Sequence, residues 1–124
     1  MRFIDSNIVA YAFYENEFQE PCRAVLREGG IIDTLVLCEA FNIIEHETNR
    51  EIAQKVIKAL LSTHIVIVSL DISVIFEAIK RAERYKKLSF LDLLHFTVSQ
   101  LHSCEEIISY DKDFDRLPIP RNLP

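Results

Sequence analysis

Four short apolar runs, separated by segments with helical spacing, limit how this chain can fold. The runs are Met1–Ile4, Ile31-Ile32, His64–Leu70 and Glu106–Ser109. Met1–Ile4 ends at the polar turn Asp5-Ser6-Asn7, where Ser6 or Asn7 can cap a helix through Ala10 to Tyr14. Phe18–Glu28 is a second helical pattern, with Gly29 as its stop. Asp33 or Thr34 caps a third through Leu35–His46, and Glu51–Leu61 repeats apolar residues at helical spacing. HIVIVSL is β-branched and unbroken, as in a parallel strand covered on both faces. Asp71–Lys87, capped by Ser69 or Asp71, and Ser89–His102 are two further helices, and Asp113–Pro124 is loop and tail.

Strands alternating with helices specify an α/β fold with a largely parallel sheet. The length, 124 residues, fits one domain over 1–124, and there is no internal repeat or linker. Only two glycines occur, Gly29 and Gly30, and three of the four prolines fall in the last seven residues. The upstream segments are therefore almost free of breakers.

The formal net charge is −5, which argues against a protein that grips nucleic acid by neutralising phosphates alone. It leaves room for an enzyme whose cations arrive as bound metal. Cys22, Cys38 and Cys104 form no CxxC pair, which suits a reducing cytoplasm and gives no zinc or redox signature. The start MRFIDSN lacks a signal-peptide pattern, and no stretch approaches the roughly 20 apolar residues of a membrane span. A soluble cytoplasmic protein is expected.

The informative feature for function is the isolation of three acids. Asp5 is the only charged side chain between Arg2 and Glu15, Glu39 the only one between Asp33 and Glu45, and Asp92 the only one between Lys87 and Glu105. Burying an unpaired carboxylate costs several kcal/mol, so each must protonate or find a cation. Asp5 and Asp111 follow the first and fourth strands, whose carboxyl ends share one rim in a parallel sheet. Asp92 lies in the first turn of its helix and Glu39 about one turn into another, so all four can converge. Oxygen ligands select Mg2+ or Mn2+ over zinc, and such ions clamp phosphate oxygens and activate water.

Each acid also has a plainer explanation. Asp5 can serve as a strand-end turn former or N-cap, and Ser89-x-x-Asp92 resembles a capping box. Asp111 can be a solvated turn residue, and Glu39 can pair with an arginine distant in sequence. His46, His64, His95 and His102 show no metal-ligand spacing; His95, one turn after Asp92, can touch the site, although a helix-surface or core histidine is the better reading. Tyr11, Phe13 and Tyr14 can stack bases, but core packing or a dimer contact suits them better.

On these residues the chain resembles the PIN-domain family, and within it the toxin ribonucleases of VapBC-type toxin–antitoxin pairs. FIDSNIVAYAF resembles the first motif, with Asp5 as the metal-binding acid and Ser6 and Asn7 beside it. Glu39 in LVLCEAFNII matches the second acid, and Asp92 in LSFLDLLHFTVSQ the third. IISYDKDFDRLP resembles the closing segment, with Asp111 as fourth acid, Phe114 a buried anchor, and Ser109 where the family often has Thr. The resemblance runs from residue 2 to about residue 117. It implies a three-layer α/β/α sandwich around a mainly parallel sheet of four to five strands. It further implies a Mg2+- or Mn2+-dependent ribonuclease, an RNA substrate, a homodimer and a small antitoxin that blocks the site.

There are departures from the pattern. Tyr110 stands where a small polar or basic residue is common, and Asp113 and Asp115 crowd the last motif, so Asp115 is an auxiliary candidate. The short proline-rich tail leaves a fifth strand reduced or absent. RNA grip would fall to Arg2, Lys86, Lys87, Lys112 or Arg116, although all but Lys112 read first as solvated surface charges. One rival reading is a PIN-like scaffold that binds RNA or protein without cutting. Another is a metal-dependent phosphatase, which the absence of a DxD pair after the first strand weakens. The layout of a phospho-receiver domain is not found.

Overall fold

The structure is a computed structural model that describes all of residues 1–124. In chain order the elements are β1 (Arg2–Ile4), α1 (Ser6–Tyr11), α2 (Gln19–Glu28), β2 (Ile31–Asp33), α3 (Thr34–Glu47) and α4 (Arg50–Leu61). There follow β3 (Val66–Val68), α5 (Ile72–Arg84), α6 (Phe90–Leu101), β4 (Glu106–Ile108), a 3-10 helix (Lys112–Arg116) and β5 (Arg121–Asn122). The five strands form one sheet in the order β3-β2-β1-β4-β5, and every pairing is parallel. Helices α1 to α4 pack on one another and α5 packs on α6, giving the expected three-layer sandwich.

Side-chain caps set most helix starts. Asp5, Asp33, Asn49, Asp71 and Ser89 each accept a backbone N–H from the first turn, which satisfies donors that otherwise have no partner. The cap of α1 is Asp5 rather than Ser6 or Asn7, and the helix stops at Tyr11. The Asn16 amide then bonds the Tyr11 and Tyr14 carbonyls and turns the chain toward α2. Gly30 meets a close approach: a Cβ there would lie 2.8 Å from the Arg2 carbonyl oxygen of the neighbouring strand.

Two further expectations differ from the structure. The HIVIVSL run forms only a three-residue strand at the sheet edge, where Val66 is 44% exposed, and is not covered on both faces. A β-branched run looks the same whether its strand is central or at an edge. The tail is not merely loop: it carries the 3-10 helix and a short fifth strand. Proline is tolerated there because the edge strand supplies acceptors. Ile107 N–H donates to the Pro120 carbonyl and Ser109 N–H to that of Asn122.

The core gathers along β1 and β4 and the helices over them, with Phe3, Ile4, Ile8, Phe96, Ile107 and Phe114 almost wholly buried. Phe114 is thus the anchor its motif led one to expect. No helix is long and apolar enough to cross a membrane. Strand order reverses direction at β1, with β2 and β3 on one side and β4 and β5 on the other. The crevice at such a switch point opens between the carboxyl ends of β1 and β4, where Asp5 and the Ser109–Asp111 segment lie.

Candidate active site

Asp5 is buried directly after β1, and both of its oxygens are engaged. Oδ1 accepts the Ser6 N–H at 2.7 Å, and Oδ2 accepts the hydroxyl of buried Ser109, after β4, at 2.5 Å. The Ser109 oxygen in turn accepts the Asp111 N–H at 2.9 Å, so one hydroxyl ties the ends of the two central strands. Asp111 caps the 3-10 helix by accepting the Asp113 N–H at 2.9 Å. Asp92, half-buried in the first turn of α6, has its own N–H held by Ser89 at 3.1 Å. The capping explanations for Asp5 and the Ser89 turn therefore describe real contacts, Asp111 proves to be a cap where a solvated turn residue was the plain reading, and these same contacts set the acids in place.

Asp92, Asp111 and Asp113 can each offer one carboxylate oxygen such that all three lie within 4.8 Å of one another. No lysine or arginine forms an ion pair with any of them, or with Asp5 or Glu39. The electrostatic cost is visible in their acidities. Burial first, then Asp111 and Asp5, push the Asp92 carboxyl up to about 6. Burial raises Asp5 as well, against the opposing effects of His95, Ser109 and the Ser6 N–H. Three hard oxygen donors that repel one another suit a small divalent cation such as Mg2+ or Mn2+. Two residues after Asp5, on α1, the buried Asn7 Oδ1 has no hydrogen-bond partner.

Glu39 has a different partner from any the sequence suggested. Its Oε1 lies 2.7 Å from His95 Nε2, and His95 Nδ1 lies 2.6 Å from Asp33 Oδ2. His95 and Asp33 are almost completely inaccessible, whereas Glu39 keeps 30% of its side chain in solvent. Burial alone would lower the imidazole, but hydrogen bonds to Asp33 and Glu39 outweigh it and carry it up to about 10. His95 is therefore an imidazolium that donates from both nitrogens and neutralises part of the acid excess. Its remaining oxygen aside, Asp33 also caps α3 through Oδ1, which accepts the Val36 N–H at 2.9 Å.

Sequence reasoning missed Asp33, placed His95 within reach of the site but favoured a core or surface role, and left the choice between Asp113 and Asp115 open. Asp33 was complete as a cap and His95 as a core residue. The available signal was positional: Asp33 ends β2 as Asp5 follows β1, on adjacent strands of one rim. Asp115 lies outside the cluster, its carboxylate held by Arg121 at 2.8 and 3.2 Å. Ser6 Oγ sits 3.4 Å from Asp5 Oδ1. Arg2 is committed elsewhere, to the Val25 and Gly29 carbonyls and to Glu28. Tyr11 packs against Tyr14, Phe18 and Tyr110, with Phe18 and Tyr110 centroids 4.6 Å apart, so these rings serve packing.

A family model for the PIN domain matches residues 2–120. No curated protein matches the sequence. Among solved structures, the chain is similar to VapC20 of Mycobacterium tuberculosis, described as a toxin that cleaves the sarcin–ricin loop. The TM-score is 0.86 at 16% identity, over 100% of both chains. It is also similar to VapBC2 of Rickettsia felis, solved with a DNA fragment from its promoter. There the TM-score is 0.73 at 17% identity, covering 99% of this chain and 98% of that one. At these identities the likeness is one of fold.

Proposed function

The chain belongs to the PIN-domain family, and from that premise we propose that it is a metal-dependent endoribonuclease, the toxin member of a toxin–antitoxin pair. The observation that carries this reading is the set of acids at the carboxyl rim: Asp92, Asp111 and Asp113 lie close enough to share one ion, Asp5 acts on Asp92 from beside them, and none pairs with a lysine or arginine. A structural role alone would favour pairing or removing such charges.

Asp92 and Asp111 would hold Mg2+ or Mn2+, with Asp113 adding an oxygen and Asp5 contributing from the buried side. When bound, such an ion supplies Lewis-acid polarisation of a phosphoryl oxygen and a more acidic water. The chain's own groups do the positioning. Ser109 fixes Asp5 against Asp111, and His95 fixes Glu39 through one oxygen. The other Glu39 oxygen stays available to orient a water or accept its proton in an in-line attack on RNA. Asn7 Oδ1 offers a further acceptor.

The homodimer and the antitoxin are part of the same proposal. Helix α5 exposes Ile72, Phe76 and Ile79, which gives such a contact an apolar face to cover. The reading is tested by incubating a mixed RNA pool with purified protein in Mg2+, Mn2+ or EDTA, beside Asp5→Asn. Cutting that needs the metal and fails in the variant supports it. Metal binding without cutting by antitoxin-free protein would favour the non-cleaving scaffold.

A further inference from the structure

In a protein with net charge −5, the cations that have no carboxylate partner mark where negative charge is wanted from outside. Of the fourteen lysines and arginines, Arg2, Arg23, Arg27, Arg50, Lys55, Lys80, Arg81 and Arg121 each sit in an ion pair. The remaining six are Lys58, Arg84, Lys86, Lys87, Lys112 and Arg116. Four of these six, Arg84, Lys86, Lys87 and Arg116, line one cavity of about 200 Å³ together with Tyr85 and Leu88, and no acid lines it.

The cavity lies between the α5–α6 connection and the end of the 3-10 helix, and both walls lead into the acid cluster. Lys87 is two residues before Ser89, the cap of the helix whose first turn carries Asp92. Arg116 closes the 3-10 helix that Asp111 caps and that bears Asp113. Five residues of 3-10 helix span only about 10 Å. The cavity is smaller than the roughly 300–1,000 Å³ of small-molecule sites, but it has room for phosphate groups. The Arg84 guanidinium lies over the Tyr85 ring, 5.5 Å from its centroid, and Tyr85 is braced edge-on by Phe96. Such a braced guanidinium offers a flat cationic surface of the kind that unpaired bases and backbone phosphates approach.

We infer that this cavity is a phosphate-binding groove for the backbone of single-stranded RNA, holding the strand beside the acid cluster. The inference rests on the ribonuclease reading and adds where the substrate lies. It also resolves how an acidic protein approaches a polyanion. The repelling carboxylates are flanked by four cations with no other partner, while the rest of the basic side chains, Lys58 and Lys112 aside, are neutralised in place.

The test is the salt dependence of binding of a labelled single-stranded RNA oligonucleotide, measured in EDTA on the Asp5→Asn protein so that nothing is cut. Each phosphate neutralised on a single strand contributes about 0.7 to the log–log slope. Replacing Arg84, Lys86, Lys87 and Arg116 together by Gln should flatten that slope by about 2.8. Lys86→Gln with Lys87→Gln, both exposed, should flatten it by about 1.4 and covers the case in which the fourfold variant folds poorly. Lys58→Gln, the same charge change on α4, should leave it unaltered. An unchanged slope in the groove variants, an equal change in the Lys58 control, or no RNA binding would overturn the groove. Cleavage by the unsubstituted protein in Mn2+ is read separately. Cutting with an unaltered slope discards the groove and keeps the ribonuclease; a flattened slope without cutting does the reverse.

Discussion

The two ends of the parallel sheet are built from similar charges and use them in opposite ways. At the amino end, the Met1 ammonium meets Glu105 at 2.5 Å and Arg2 meets Glu28 at 3.0 Å. There the Glu105 carboxyl is held below the usual range, chiefly by its hydrogen bond from the Met1 ammonium. At the carboxyl end, Asp5 and Asp92 are raised by burial, and the one internal cation, His95, serves Asp33 and Glu39. The number of acids does not separate the two ends. What separates them is pairing: Glu105 and Glu28 each meet a cation of the chain, whereas Asp5, Asp92, Asp111 and Asp113 pair with no lysine or arginine.

The sharpest way to break the comparison is to remove an acid at each end. Asp5→Asn, Asp92→Asn and Asp111→Asn should each lower RNA cleavage by about 100-fold or more, because each removes negative charge that would hold the ion polarising the reacting phosphate. Melting temperature should hold or rise, since an uncompensated charge is lost. Arg2→Gln at the other end should cost about 1–2 kcal/mol of stability in chemical denaturation, through its lost carbonyl contacts, and leave cleavage as it was.

His95→Gln comes next. It keeps a donor toward Glu39 but strands Asp33, which is fully buried. Removing one partner of a buried ion pair should destabilise the protein by roughly 3 kcal/mol in urea unfolding. Glu39, held then by a neutral amide instead of an imidazolium, should lower RNA cleavage about 10- to 100-fold. A loss of stability with unchanged cleavage would make the His95 cluster purely structural.

A pH series sharpens the comparison further. Ionised Asp92 is costlier in the fold than in the unfolded chain, so the metal-free protein should lose stability as pH rises from about 4 to about 6. His95 declines in the same direction for a different reason: its charged form is favoured in the fold, so its contribution is complete below about 6.5 and is lost as pH climbs through about 10. Thermal melts across that range should therefore show a decline in each window. Mn2+ should flatten the acid-side decline, because it binds the deprotonated carboxylate. The smallest effect belongs to Asp115→Asn, which breaks only the exposed contact to Arg121 and should leave metal affinity and cleavage near wild type.

Much of this was readable from the chain. The helices α3 to α6 and the strand before Asp5 follow from apolar spacing and caps, which are local properties. The isolation of Asp5, Glu39 and Asp92 was visible because lone acids in apolar segments are a local anomaly. The Asp33–His95–Glu39 chain was not, since its members lie 62 and 56 residues apart and each has a satisfactory local role. β5 was hidden for the same reason: two residues flanked by proline become a strand only because β4 offers its N–H groups. The edge position of β3 depends on strand order, which a β-branched run does not encode.

The most direct measurement is Mn2+ binding to the metal-free protein by calorimetric titration, at pH 7 and at pH 5, with Asp92→Asn in parallel. Saturable binding is expected at pH 7, weakening by about tenfold over the unit below the Asp92 value of about 6, and largely lost in the variant. Binding that is absent at pH 7, or that is indifferent to both pH and Asp92, would contradict the claim that the carboxyl rim is completed by a cation.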